Sequence, residues 1–276
     1  HCTGCGMMSD CCDGLLLDNV DYTPSGDRLF TGIADAFHVT HASGLVEMRN
    51  CDVDGQGDDA INIHGRYHRM TPAKDDGRTF RCIARSDVPL IYPGDSVWIV
   101  NSADMKRSEK YAVEDFTMLG EETFEMVLAS PVPETAPDVV LYAENSERNP
   151  EVHIHDNRFG SGNRARGVLL TTPRKSVIEN NVFESSGAAI LIEGDISYWY
   201  ESGGVTDVRI SDNVFYHCAT SPWGAAVITL TPSTDIPGYH SGVTISGNRF
   251  VMAPGVLPLY TVDSTAVNFL PDNIME

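Results

Sequence analysis

One short phrase occurs twice in this chain at a spacing of 24 residues, and that spacing limits the folds available to it. Asp35-Ala36-Phe37-His38-Val39-Thr40 lies over Asp59-Ala60-Ile61-Asn62-Ile63-His64. In both copies apolar residues take alternate positions and polar residues fill the gaps, the pattern of a strand with one buried face. A strand that returns every couple of dozen residues predicts stacked coils. Stacking at about 4.8 Å would set Asp35 beside Asp59, with Asp58 next to both.

A second phrase supports the same reading. Leu15–Tyr22 and Val46–Val53 each read as a short strand and a turn, and the shape returns in VHIHDNRF (from Val152), SVIENNVF (from Ser176), VRISDNVF (from Val208) and VTISGNRF (from Val243). The asparagines Asn157, Asn181, Asn213 and Asn248 are separated by 24, 32 and 35 residues. The shortest interval is a bare coil and the surplus is looped out. An Asn at one turn of every coil suits an amide ladder or plain turn chemistry, and both are structural roles. A further strand series follows these turns as GVLLTT (from Gly167), AAILIEG (from Ala188) and AAVITLT (from Ala225). AAILIEG aligns with DAINIHG, setting Glu193 in register with His64 and Leu191 with Asn62. The expected fold is all-β, a right-handed parallel β-helix. Residues 66–150 break the repeat. Their short strands between Pro- and Gly-marked turns predict an inserted β-barrel or sandwich of about six strands, placed to wall one side of the acidic site. The expected divisions are therefore 1–65, 66–150 and 151–276.

A chain of 276 residues with 24 glycines and 42% hydrophobic residues has the length and turn content for such a fold. Its formal net charge of −20 opposes nucleic-acid binding and, less strongly, polyanionic sugars, so a neutral partner is expected. No apolar run reaches the roughly 20 residues of a membrane helix. The chain opens at His1 without a Met and is read as a fragment. Four of its seven cysteines cluster as Cys2, Cys5, Cys11 and Cys12; no second Cys pair completes a zinc site, so buried thiols are expected. Cys51, Cys82 and Cys218 stand alone and carry no signal.

Asp35, Asp58 and Asp59 carry the chemical argument. Cleavage of a glycosidic bond needs a protonated carboxyl for the leaving oxygen and a carboxylate to activate water or attack. Crowded carboxylates supply both states, because neighbouring negative charge raises the pKa of the worst-solvated member. Two other readings use the same residues. DVDGQGDD, from Asp52, begins like a calcium loop, but Ile63 occupies the twelfth position where a bidentate Glu belongs. Turn aspartates are the remaining reading, and the strand register of Asp35 and Asp59 speaks against it. His38, Asn62 and His64 share a face with the trio and are candidates to bind substrate. Glu193 lies in the same lane some coils on. The loop Gly194 to Gly204 presents Tyr198, Trp199 and Tyr200, with Trp199 the candidate to stack on a sugar ring. Arg164 and Arg166 stand behind these.

ADAFHV followed by GQGDDAINIHG resembles the active-site coils of glycoside hydrolase family 110, the bacterial exo-acting α-1,3-galactosidases. The resemblance spans most of the chain, with its specific motifs in residues 34–65. It implies a parallel β-helix interrupted by barrel modules, inversion at the anomeric carbon, Asp58 as general acid, and Asp59 with Asp35 holding and deprotonating the water. It also implies secretion, or a periplasmic or cell-surface place in a bacterium. Family members are longer than this chain. The expected activity is removal of terminal α-linked galactose, α-1,3 by implication, from a neutral galactose-containing oligosaccharide, with no metal or other cofactor. A polysaccharide lyase or epimerase, which calls for a basic residue and a metal, and a non-catalytic glycan-binding β-helix are the alternatives. Inversion needs the Asp58 carboxyl nearer 7 Å than 5 Å from one of its partners.

Overall fold

The computed structural model describes residues 3–83 and 91–276; Cys2 and residues 84–90 of the central segment lie outside it. Every regular element among the described residues is a strand. Strands follow one another through three parallel sheets in turn. The first contains Met7–Asp10, Phe37–Thr40, Ile61–Pro72, Val168–Thr171, Ile190–Ile192, Ile228–Leu230 and Leu259–Thr261. The second runs Asp13–Asp18, Ser43–Arg49, Glu151–His155, Ser176–Glu179, Val208–Ser211, His240–Ser246 and Ser264–Phe269. Two- and three-residue strands from Asp21–Tyr22 to Ile274–Met275 form the third.

The pairing follows the repeat. Phe37 pairs with Ile61 and His38 with Asn62, as the 24-residue spacing requires. Asn62 pairs in turn with Leu169, and Leu169 with Leu191. Inward residues of all three sheets make one core, from Phe37 and Ile61 to Ile245 and Phe250. Within it Phe159, Phe183, Phe215 and Phe250 stack at centroid distances of 4.6, 5.2 and 4.8 Å. Such offset stacks add to the burial of each ring.

The asparagines form a ladder. Asn181 Oδ1 accepts from the backbone N–H and the side-chain amide of Asn157, each at 3.0 Å. Asn213 does the same for Asn181, Asn248 for Asn213, and Asn273 for Asn248. Turn chemistry falls instead to the preceding residues, Asp156, Asn180, Asp212 and Gly247, which hold φ of 57°, 56°, 58° and 64°. Cys51, which carried no signal in the sequence, is the next rung. Its N–H donates to Asn157 Oδ1 at 2.9 Å, and its sulfur accepts from Val20 N–H at 3.4 Å. The other described cysteines, including Cys5, Cys11 and Cys12, are at least half-buried.

Ile61–Pro72 outruns its parallel neighbours, and its far half belongs to a second sheet. That half pairs antiparallel with Thr79–Ile83, followed by Thr123–Leu128, Arg107–Gly120, Ser96–Asn101 and Leu141–Asn145. Leu141–Asn145 then pairs back onto Ile61–Pro72, closing a ring of six strands. Closure leaves no free strand edge. The ring has its own core, built on Phe80, Val97, Phe124, Met126 and Leu128.

Candidate active site

The register that stacks the strands also assembles the site. Extending the pairings by two residues towards the N-terminus aligns Cys5, Asp35, Asp59 and Arg166 on four successive strands. Two backbone bonds fix this alignment, Ala36 N–H to Asp59 O at 2.9 Å and Ala60 N–H to Arg166 O at 3.0 Å. Asp58 precedes the strand on a tight approach. A Cβ on Gly57 would strike the Ile33 carbonyl, so this position takes only glycine at no cost.

Arg166 is at the centre of the cluster, so the cluster is not wholly acidic. Its Nε and Nη2 donate to the two oxygens of Asp59, Nη2 at 3.0 Å, and Nη2 also donates to Asp58 Oδ1 at 2.9 Å. Burial alone would lower the Arg166 pKa, but the Asp59 carboxylate beside it outweighs this and raises it. Trp223 backs the arrangement, with the Arg164 and Arg166 guanidinium carbons 4.7 and 5.6 Å from its ring centroid. One oxygen from each of Asp35, Asp58 and Asp59 lies within 4.8 Å of the other two. This is tighter than the expected 7 Å gap, and the shared Nη2 is the reason, since it draws Asp58 towards Asp59. Such a carboxylate set has the donors for a cation, but here a guanidinium supplies the positive charge.

The three carboxyls differ in surroundings. Asp59 is 1% exposed, and burial pushes its pKa well up against the pull of Arg166. Asp58 has the most solvent of the three, with a side chain 36% exposed; burial raises its pKa too, again opposed by Arg166. Asp35 is buried and engaged on both oxygens, by the Asp59 N–H at 3.2 Å and by His38 Nδ1 at 2.8 Å.

The hydrogen bonds around His38 fix its state. His64 Nδ1 faces the Gly65 carbonyl at 2.5 Å and must donate to it. Burial, followed by repulsion from His38, holds the His64 pKa well below the usual value, so its Nε2 is bare and accepts from His38 Nε2 at 2.9 Å. His38 therefore donates from one nitrogen to His64 and from the other to Asp35. Burial works against charge on that ring, but the Asp35 hydrogen bond prevails and pushes its pKa up to about 10. His38 is an imidazolium that orients Asp35.

These groups line a cavity of about 420 Å³ with Asn62, Leu169, Glu193, Asp195, Trp199 and Glu201. Of the residues proposed from sequence, Asp35, Asp58, Asp59, His38, Asn62, Glu193 and Trp199 all line it. His64 does not. It is buried one layer below, with its ring nitrogens on Gly65 and His38, and acts on the site through His38. Trp199 is 59% exposed and packs edge-on against Tyr198, centroids 4.7 Å apart, whereas Tyr200 packs against Tyr142. Burial raises the Glu193 pKa against the pull of Arg166.

Two further contributors, Arg166 and Glu201, carry weaker signals in the sequence. Arg166 could be found by laying ARGVLL over DDAINI, which sets it beside Asp59. Glu201 sits in the loop singled out for its aromatics, two residues beyond Trp199. Its short strand pairs antiparallel with Gly65 and Arg66, bringing its carboxyl to Asn62 Nδ2 at 3.4 Å. Burial pushes the Glu201 pKa up to about 7, with His38 and Asn62 opposing. Among the described residues, none from 66 to 150 lines the cavity, contrary to the expected wall. The ring of six strands instead holds the loop that does. Arg66 Nη1 donates to Trp199 O at 3.2 Å, Tyr67 N–H to Tyr200 O at 2.7 Å, and Tyr142 OH to Ile196 O at 3.5 Å.

The chain is 35% identical over 263 residues to alpha-1,3-galactosidase B of Bacteroides thetaiotaomicron, covering 91% of this chain and 42% of that protein. It is 33% identical over 259 residues to alpha-1,3-galactosidase A of Bacteroides fragilis, covering 90% and 42% respectively. With alpha-1,3-galactosidase B of Phocaeicola vulgatus the identity is 34% over 282 residues, covering 91% and 46%. No protein-family model matches the chain. The chain spans less than half the length of these relatives. It is a homologue of the bacterial α-1,3-galactosidases, in keeping with the resemblance of its acidic coils to glycoside hydrolase family 110.

Proposed function

We propose that this chain carries the catalytic site of a glycoside hydrolase that removes terminal α-linked galactose, α-1,3 by analogy with its relatives, from neutral glycans. The observation that carries the reading is the carboxylate trio, with Asp58 and Asp59 held by Arg166, in a cavity also lined by Trp199, Glu193 and Glu201. The scaffold is read as a right-handed parallel β-helix (1–65 and 151–276) with a barrel inserted at 66–150. The alternating parallel sheets and the closed antiparallel ring support that division. A secreted, periplasmic or cell-surface place in a bacterium is part of the same proposal and rests on the family resemblance alone.

In this reading Asp58 is the general acid. It is the most accessible carboxyl of the trio, and burial raises its pKa, the direction a general acid needs. Asp59 and Asp35 hold the attacking water. The raised pKa of Asp59 makes it a stronger base, and the His38 hydrogen bond orients Asp35. Direct water attack, hence inversion, is favoured over a covalent intermediate because both oxygens of Asp35 and both of Asp59 are already held by donors. The longer acid–base spacing requires Asp58 to leave Arg166 when a glycosidic oxygen replaces that contact. Trp199 and Tyr198 offer faces to sugar C–H groups.

A lyase or epimerase reading loses its base here, since Arg166 is raised further into its charged state. A second assignment within the hydrolase reading gives the proton to Glu201, whose pKa of about 7 suits an acid at neutral pH. A panel of aryl α-galactosides, assayed with and without chelator, tests the proposal. Hydrolysis of the α-galactosides indifferent to chelator is expected. Turnover of uronate polymers only, or of nothing, would overturn it.

A further inference from the structure

A second cluster of ligating side chains lies on the outer face of the second sheet, apart from the acidic cavity. In the strand Glu151–His155, Val152 and Ile154 point into the core, so His153 and His155 emerge together on the solvent side. Their rings stack at 4.1 Å. Glu47, on the neighbouring strand Ser43–Arg49, pairs directly with His153. One ligand atom from each of Glu47, His153 and His155 lies within 4.8 Å of the other two. Glu47 Oε1 and His155 Nε2 are 3.2 Å apart. Two ligands about 2.0–2.2 Å from one tetrahedral ion sit roughly 3.3 Å from each other, so this pair is already at coordination distance.

We infer that Glu47, His153 and His155 form a surface binding site for a divalent transition ion of the zinc class. Two imidazoles and a carboxylate favour zinc, nickel or copper over magnesium or calcium, which take all-oxygen shells. His153 has to turn from Glu179, where its Nε2 now sits at 3.0 Å, and Glu179 is then free to serve as a fourth ligand or an acceptor for bound water. Asp156 supplies the outer partner, with its Oδ2 2.7 Å from His155 Nδ1, the arrangement that fixes the tautomer of a metal-bound imidazole. Arg49 and Arg209 also touch this cluster, through Glu47 and Glu179. Asp18 draws the other arm of Arg49 at 2.9 Å. An ion here joins a strand that precedes residues 66–150 to one that follows them. It would therefore staple the two sides of that long excursion and add to stability without entering the reaction.

Zinc binding to the stripped protein, followed by calorimetry and by thermal melting, tests the site. The wild-type chain is expected to bind zinc and to melt higher with zinc than with EDTA, with no such shift in magnesium. His155→Asn should weaken binding at least about ten-fold and remove the shift. Glu47→Gln, which preserves the shape of the side chain, should also weaken binding and serves if His155→Asn does not fold. Failure of the wild-type chain to bind zinc, or equal binding by the variants, would overturn the assignment.

Discussion

Arg166 and Asp59 occupy the same register position on adjacent strands, and the guanidinium grips both carboxylate oxygens of that aspartate. The contact joins two segments 107 residues apart. It fixes the orientation of Asp59 and, through Nη2, the distance of Asp58.

Arg166→Ala should therefore be costly. Removing one partner of a buried ion pair leaves Asp59 uncompensated, at about 3–5 kcal/mol of stability by denaturant unfolding. Arg166→Lys keeps the charge but not the fork, so it should fold better than the alanine variant while losing about 100-fold in kcat/KM. Full activity in Arg166→Lys would show that the bidentate geometry is dispensable.

The Asn ladder should matter to stability alone. Asn213 accepts from the Asn181 N–H and donates to the Ile178 carbonyl at 2.9 Å. Asn213→Ala strands those buried groups and should cost about 1–3 kcal/mol with kcat unchanged. Asn213→Asp should destabilise more at neutral pH, since a carboxylate would face the Ile178 carbonyl. Chemical denaturation alongside steady-state kinetics separates the two effects.

Most of this architecture is readable from periodicity, because in a stacked chain sequence spacing becomes spatial register. Asp35 falls beside Asp59, and Leu191 continues the lane of Asn62, as the repeated phrase requires. Elsewhere periodicity is silent. Glu201 reaches the cavity from an irregular loop by pairing antiparallel with Gly65 and Arg66, and no repeat encodes that return. His64 alternates onto the same strand face as Asn62, but Glu201 and the returning loop cover it, turning an outward residue into a buried one. The close approach of Asp58 to its partners depends on side-chain direction, which register alone does not determine.

The raised pKa of Glu201 makes a pH prediction with a definite sign. The folded chain binds this proton more tightly than the unfolded chain does. The resulting stability is complete below about 4.5 and is lost as pH rises through about 7. Melting temperatures of wild type and Glu201→Gln should diverge between pH 5 and pH 8, with wild type losing roughly 3 kcal/mol relative to the variant. A constant difference across that range would mean that Glu201 titrates normally.

Asp58→Asn separates the two candidate acids. If Asp58 donates the proton, the variant should lose most activity on alkyl galactosides and retain it on nitrophenyl galactosides, whose leaving groups need no protonation. Equal losses on both would move the acid role to Glu201, and Glu201→Gln would then show the selective pattern.

In the proposed reaction Asp35 and Asp59 deliver water directly to the anomeric carbon of an α-galactoside. Proton NMR of the first sugar released, recorded before mutarotation, tests it most directly. β-Galactose should appear first, with the α-anomer growing in only as mutarotation proceeds. Initial release of α-galactose would contradict the account, because it would require a carboxylate to attack carbon in place of holding water.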